Sequence, residues 1–84
     1  MLYENTEQGL IQVNLGYLSD KLQCPMDIGL MEKDEQGRWR VPVSTPQGLP
    51  TDLSSEQYKE ELRELAQRLR DEHRLAVEFV VLSG

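Results

Sequence analysis

The chain has 84 residues and a mass of 9.7 kDa, which is the size of one small domain with a single core. Hydrophobic residues make up 38% and charged residues 29%, a mixture typical of globular proteins rather than disordered ones. The apolar runs are far shorter than the roughly 20 residues that cross a bilayer, and residues 1–5 lack the features of a signal peptide. We therefore expect one cytoplasmic domain over residues 1–84, without a membrane partner.

Acidic residues outnumber basic residues by 15 to 9, which gives a net charge of −6. Nucleic acids and anionic membranes repel such a surface, so we expect no direct binding to nucleic acid. The excess negative charge lies mainly in residues 1–53, which have eight acids and four bases, whereas residues 54–74 have six acids and five bases.

The N-terminal third predicts little regular structure. Apolar residues at Ile11, Val13 and Leu15 alternate with polar ones, which predicts a strand over residues 9–15, and residues 2–4 are a candidate partner strand. Residues 16–23 fit either one helical turn or a loop, and the sequence does not decide between them.

A hairpin is predicted next, because two short alternating segments, 26–33 and 38–43, flank the polar, glycine-containing turn 34–37. In the second segment Trp39 shares one apolar face with Val41 and Val43, which favours a core position over an interface position for this tryptophan. Pro42 cannot donate a backbone hydrogen bond, so it predicts an edge position or a strand end.

The clearest element is a helix over residues 54–74. Ser54 and Gln57 have the spacing of a capping box, and four apolar residues then recur at intervals of 4, 3 and 4. These residues are Tyr58, Leu62, Leu65 and Leu69. The stripe must face a core.

The segment 75–82 is rich in valine, is wholly apolar on one face and largely apolar on the other, and predicts an interior strand. The order is therefore β-ββ-α-β. We predict an α+β fold, a small two-layer sandwich in which a three- to four-stranded, mostly antiparallel sheet packs against one long helix.

Catalytic and metal-binding patterns are absent from the sequence. Cys24 is the only thiol and His73 the only imidazole, and 49 positions separate them, so they provide neither a zinc-binding pattern nor a supported catalytic pair. We expect a protein that is not an enzyme and that uses no cofactor or metal.

The predicted helix sorts its charged residues by side. Four bases lie within a sector of roughly 60° beside the leucine stripe. These residues, which form the basic flank of the helix, are Lys59, Arg63, Arg70 and Arg74. Three interpretations are open: pairing with acids of the protein's own sheet, docking of an acidic protein segment, and contact with phosphate.

Two further surface features have candidate roles. Arg38 and Arg40 flank the tryptophan and could belong to a binding edge. Asp34 and Glu35, in the predicted turn, could contribute to a negative surface that imitates a phosphate backbone.

The functional expectation is a small acidic interaction module, that is, an accessory subunit, adaptor or inhibitor that binds a protein partner. The partner would bind at the basic side of the helix, at an exposed sheet edge or at the loop 44–53. The alternative is a nucleic-acid mimic that blocks the basic groove of a nucleic-acid-binding enzyme. Self-association into a homodimer stays open, because the sequence does not reveal whether a strand edge is exposed.

Overall fold

The computed structural model of the protein describes residues 6–82. The elements follow the order α1 (Glu7–Leu22), β1 (Asp27–Ile28), β2 (Glu32–Lys33), β3 (Trp39–Ser44), α2 (Ser55–His73) and β4 (Val77–Val81). The α+β prediction is confirmed, with a four-stranded sheet and two helices instead of the one that the sequence predicted. Neither helix has the length and apolar composition needed to cross a membrane.

The predicted helix over residues 54–74 is confirmed as α2. The Gln57 N–H donates to Ser54 Oγ at 3.1 Å and the Ser54 N–H donates to Gln57 Oε1 at 2.9 Å, so both halves of the capping box form. Arg74 ends the helix in the left-handed conformation, at φ 53°. All four residues of the apolar stripe are buried.

The strand predicted over residues 9–15 is wrong, because this segment belongs to helix α1. Ile11, Leu15 and Leu18 recur at helical spacing and are buried, so tertiary packing selects the 3.6-residue period over the alternating one. Thr6 caps the helix by accepting a hydrogen bond from the Gly9 N–H at 2.9 Å. Residues 16–22 continue the same helix, and the candidate strand 2–4 lies outside the described residues.

The predicted hairpin between β2 and β3 is confirmed, and it is antiparallel. Asp34 organises its turn, since Asp34 Oδ1 accepts from the N–H groups of Gln36 and Arg38 at 2.9 and 2.8 Å. Gly37 has a φ of 81°, a conformation that favours glycine.

Strand β3 lies at the centre of the sheet, although Pro42 predicted an edge or a strand end. On one side β3 pairs with β1 and with β2, which contact different parts of it. Gly29, between these two strands, donates to the Pro42 carbonyl at 2.9 Å, while the return bond is missing because proline has no N–H. The sheet tolerates the proline because Pro42 faces the segment between β1 and β2, where no regular strand pairing needs an N–H from residue 42.

Strand β4 pairs with the other side of β3, and this pairing is parallel. Among residues 6–82 no strand pairs with the far side of β4, so the prediction of an interior strand is wrong and β4 is an edge strand of the described sheet. Its apolar inner face is explained by the connection, since parallel neighbours need a crossover and helix α2 covers the same face.

Both helices pack on one face of the sheet and share one core. Side chains of α1, α2 and β3 meet in a single buried cluster that includes Ile11, Leu15, Val41, Leu62 and Leu65. The opposite face of the sheet carries the charged Arg40 and Glu78, whose Nε and Oε1 atoms lie 3.8 Å apart, together with the apolar Val80 and Leu82.

Trp39 links the start of α1 to the sheet. Its indole Nε1 donates to Glu7 Oε1 at 2.9 Å, and Lys33 Nζ lies 3.2 Å from the same oxygen and 5.5 Å from the centre of the indole ring. The tryptophan is partly buried against the core, which agrees with the role predicted for it.

Leu65→Ala tests the packing of the stripe. Leu65 is 3% exposed, so removal of its side-chain carbons should lower the free energy of unfolding by roughly 2 to 5 kcal/mol, measured by chemical denaturation. Arg68→Ala, at an exposed position of the same helix, should change it by less than about 0.5 kcal/mol. A loss below about 1 kcal/mol in Leu65→Ala would contradict the packing.

Glu7→Gln tests the link at Trp39. The hydrogen bond from the indole, followed by that from Lys33, holds the pKa of Glu7 below its ordinary value of 4.5. A lowered pKa in the folded state stabilises the protein above the ordinary pKa, and this contribution is lost as the pH falls through the lowered value. We expect Glu7→Gln to unfold more easily at pH 7 by up to about 1 kcal/mol, since the carboxylate is half exposed, and to match the native protein in acid.

Chemical denaturation at a series of pH values, from pH 7 down to values below the pKa of Glu7, measures the free energy of unfolding of both proteins. Glu64→Gln removes the same charge where the carboxylate forms no hydrogen bond or salt bridge with the described residues, so it controls for net charge. An equal pH dependence in the two variants would contradict a specific contribution of Glu7.

Candidate partner-binding groove

Strand β4 presents apolar side chains on the face that α2 covers. In the parallel register Val77 lies beside Trp39, Phe79 beside Val41 and Val81 beside Val43, and paired residues of neighbouring strands share a face. Val41 and Val43 are fully buried, whereas the three β4 side chains are only partly covered, Val81 being 37% exposed. The apolar inner face therefore continues beyond the core and reaches the open edge.

The backbone N–H and C=O groups of β4 point alternately towards β3 and away from it. The Ala76 carbonyl accepts from the Trp39 N–H, and the Leu82 N–H donates to the Val43 carbonyl, both at 2.9 Å. Residues of even number thus bond to β3, and successive backbone groups of a strand point to opposite sides. The N–H and C=O groups of Val77, Phe79 and Val81 therefore point to the edge where no described strand pairs.

A groove of about 610 Å³ lies between α2 and β4. Apolar side chains of both elements line it, and basic side chains stand along its helical wall. Its residues are Arg38, Lys59, Leu62, Arg63, Ala66, Gln67, Arg70, Ala76, Val77, Glu78, Phe79 and Val81.

The groove is positive on a negative protein. Its lining has four cations and one anion, which gives a net charge of +3. Since the whole chain carries −6, the residues outside the lining together carry −9. Asp34 and Glu60 lie outside this lining and pair with Arg38 and Arg63, so the positive potential that attracts negatively charged groups is centred on Lys59 and Arg70.

Two of the four cations that line the groove have no acidic partner among residues 6–82. Lys59 and Arg70 form no salt bridge with any residue in the range 6–82, and Arg63 pairs at 2.6 Å with Glu60 of its own helix. This contact raises the pKa of Arg63 further above the range in which an arginine already carries its charge. The pairing of the basic flank with the protein's own sheet, one of the three interpretations, is not found among the described residues.

The structure brings together only part of the predicted site. Lys59, Arg63 and Arg70 line the groove with Arg38, whose Nε lies 3.1 Å from Asp34 Oδ2. Arg74 does not line it, because the chain leaves α2 at this residue.

The other three predicted residues also lie outside the groove. Arg40 belongs to the opposite face of the sheet, beside Glu78. Asp34 is a turn residue, and its hydrogen bonds from Arg38, with the backbone N–H contributing most, hold its pKa below the ordinary value. Glu35 is exposed in the same turn and forms no salt bridge within residues 6–82.

Cys24 and His73 do not form a catalytic pair in the described chain. The Cys24 thiol is buried, its neighbours within hydrogen-bonding range are the carbonyls of Pro25 and Gly48, and burial raises its pKa. His73 is exposed at the end of α2. An activated cysteine needs a lowered pKa and access to substrate, which are the opposite properties.

Within residues 6–82 no three acidic, histidine or cysteine side chains cluster in a way that could hold a metal ion. Comparisons with family models, with curated proteins and with solved structures found no match to this chain. The groove is therefore interpreted from its own residues alone.

Sequence reasoning missed the apolar floor of the groove. Val77, Phe79 and Val81 were expected inside the sheet, because the segment is wholly apolar on one face and largely apolar on the other. One signal for an edge was available: the connection to β4 is a single helix, which returns the chain parallel to β3 and beside it.

Chemical modification of Cys24 tests its burial. We expect Ellman's reagent to modify the folded protein at least about 100-fold more slowly than the same protein in guanidinium chloride, because the thiol becomes accessible only on opening of the structure. The absorbance of the coloured thiolate that the reagent releases measures the rate of modification. Modification of the folded protein at the rate of the denatured one would contradict a buried thiol.

Proposed function

We propose that this protein is a non-enzymatic interaction module that binds a protein partner in the groove between α2 and β4. The observation that supports it best is the combination of cations without acidic partners, Lys59 and Arg70, with the partly exposed apolar floor formed by Phe79 and Val81. Uncompensated charge beside apolar surface is typical of binding surfaces rather than of surfaces that only face water.

The chemistry of the groove favours an acidic protein segment over other ligands. A polynucleotide would meet the cations but also the surrounding surface, on which the remaining charge is −9. A protein segment contacts the groove alone and can combine carboxylates with apolar side chains. The module would act in the cytoplasm as an accessory subunit, adaptor or inhibitor.

The alternative function, mimicry of a nucleic acid, depends on a different surface. Asp34 and Glu35 lie together in the hairpin turn, but Asp34 already accepts hydrogen bonds from Arg38 and holds the turn. No feature of the described residues favours this alternative over binding in the groove, so we do not propose it as a second function.

Reversal of two charges in the groove tests the proposal. We expect the double variant Arg63→Glu, Arg70→Glu to retain less than about one tenth of the partner that the native protein retains from cell extract, because repulsion replaces attraction at two contacts. Quantitative mass spectrometry of the bound proteins, in extract treated with nuclease, measures the retention.

The matched control is Arg68→Glu, Arg74→Glu. This variant makes the same change in net charge on the same helix and its C-cap, at residues that do not line the groove. It should retain the partner. Equal loss in both double variants would indicate a general effect of charge, and unchanged retention in the groove variant would contradict the proposal.

A further inference from the structure

We propose that the partner segment binds as an additional β-strand along the open edge of β4, with glutamate or aspartate at alternate positions facing α2. This inference rests on the proposed function and specifies it. It identifies the ligand class as an extended acidic peptide, held by main-chain hydrogen bonds and by the cations of the groove.

The edge of β4 has the features of a template for strand addition. It offers the outward N–H and C=O groups of three successive alternate residues, Val77, Phe79 and Val81, spread over the length of the strand. Natural edge strands are commonly protected by charges, prolines or bulges. β4 has one charged residue, Glu78, whose carboxylate lies beside Arg40 of the neighbouring strand β3.

The groove determines which side chains the added strand should carry. Its residues facing α2 would lie beside Phe79 and Val81 and below the basic side chains of α2, because side chains of neighbouring strands share a face. A glutamate fits both requirements, since its methylene groups can contact the apolar floor while its carboxylate reaches Lys59 or Arg63. The alternate positions would lie beside Val80 and Leu82 on the other face, where apolar residues fit.

The same charges argue against a second copy of this chain as the occupant. Antiparallel pairing of two β4 strands would bring two α2 helices side by side, each with Lys59, Arg63 and Arg70 on the facing flank. Like charges in a partly desolvated interface are repulsive, and each copy already carries −6. An acidic strand would attract the basic flank, whereas a second copy would repel it.

Fluorescence anisotropy with a labelled octapeptide that alternates glutamate and valine measures the binding directly. We expect saturable binding that weakens at least about tenfold between 50 and 500 mM salt, since the contacts with the cations are screened. A peptide that alternates lysine and valine should not bind, and neither should an oligothymidylate of eight nucleotides. Equal binding of the oligothymidylate would indicate a phosphate site and overturn the inference.

Methylation of the peptide backbone tests strand addition on the unchanged protein. A strand that pairs along one edge directs only alternate amides to its neighbour. We expect N-methylation of either all glutamates or all valines to weaken binding at least about tenfold, and methylation of the other set to have little effect. Equal binding of both methylated peptides would overturn strand addition.

Val81→Pro tests the same contact from the side of the protein. Proline removes an N–H that points away from β3, so the sheet itself should tolerate it, which circular dichroism verifies. Binding of the peptide should weaken at least about tenfold, whereas Val81→Thr, which keeps the N–H, should bind within about threefold of the native protein.

The outcomes separate this inference from the proposed function. If Arg63→Glu, Arg70→Glu abolishes binding of the peptide but both methylated peptides bind equally well, the groove binds acidic segments without strand addition, and only the inference fails. If the native protein sediments as a dimer that Val81→Pro dissociates, the edge is occupied by a second copy and the inference is overturned.

Discussion

The parallel pairing of β4 with β3 is the constraint on which the rest of the structure depends. A chain that leaves one strand and returns parallel to it must cross the face of the sheet, and here α2 makes this crossing. The crossing buries the apolar stripe of the helix against Val41 and Val43, and it places the basic flank of α2 along β4. The core and the groove are thus two sides of the same helix.

Local signals in the sequence were sufficient to predict those elements whose ends are fixed by particular side chains. Helix α2 has a capping box at Ser54 and an unbroken stripe, and the hairpin turn has Asp34 and Gly37 where the turn requires them. Helix α1 lacked this agreement. Val13 and Tyr17 interrupt its stripe with apolar residues on other sides, so the short segment 9–15 matched the period of a strand equally well.

Strand order could not be obtained from single strands. Pro42 indicated an edge, yet a proline needs only a neighbour that requires no N–H from it. The segment between β1 and β2 meets this condition, because Gly29 donates to the Pro42 carbonyl and no regular strand pairing continues there. The apolar faces of β4 indicated the interior, yet one of them lies under α2. Positions in a sheet depend on long-range pairing, which periodicity within a segment does not encode. Three of the four cations of the groove were therefore predictable from the helix, and its floor was not.

The basic flank also has a consequence for the behaviour of the protein in concentrated solution. A strand edge such as that of β4, with which no strand of residues 6–82 pairs, promotes aggregation, and the mutual repulsion of the basic flanks on neighbouring molecules acts against it. This protection depends on ionic strength, because the distance over which charges act falls from about 10 Å at 0.1 M salt to about 3 Å at 1 M. Solubility should therefore decrease as salt is added, and low ionic strength should limit aggregation.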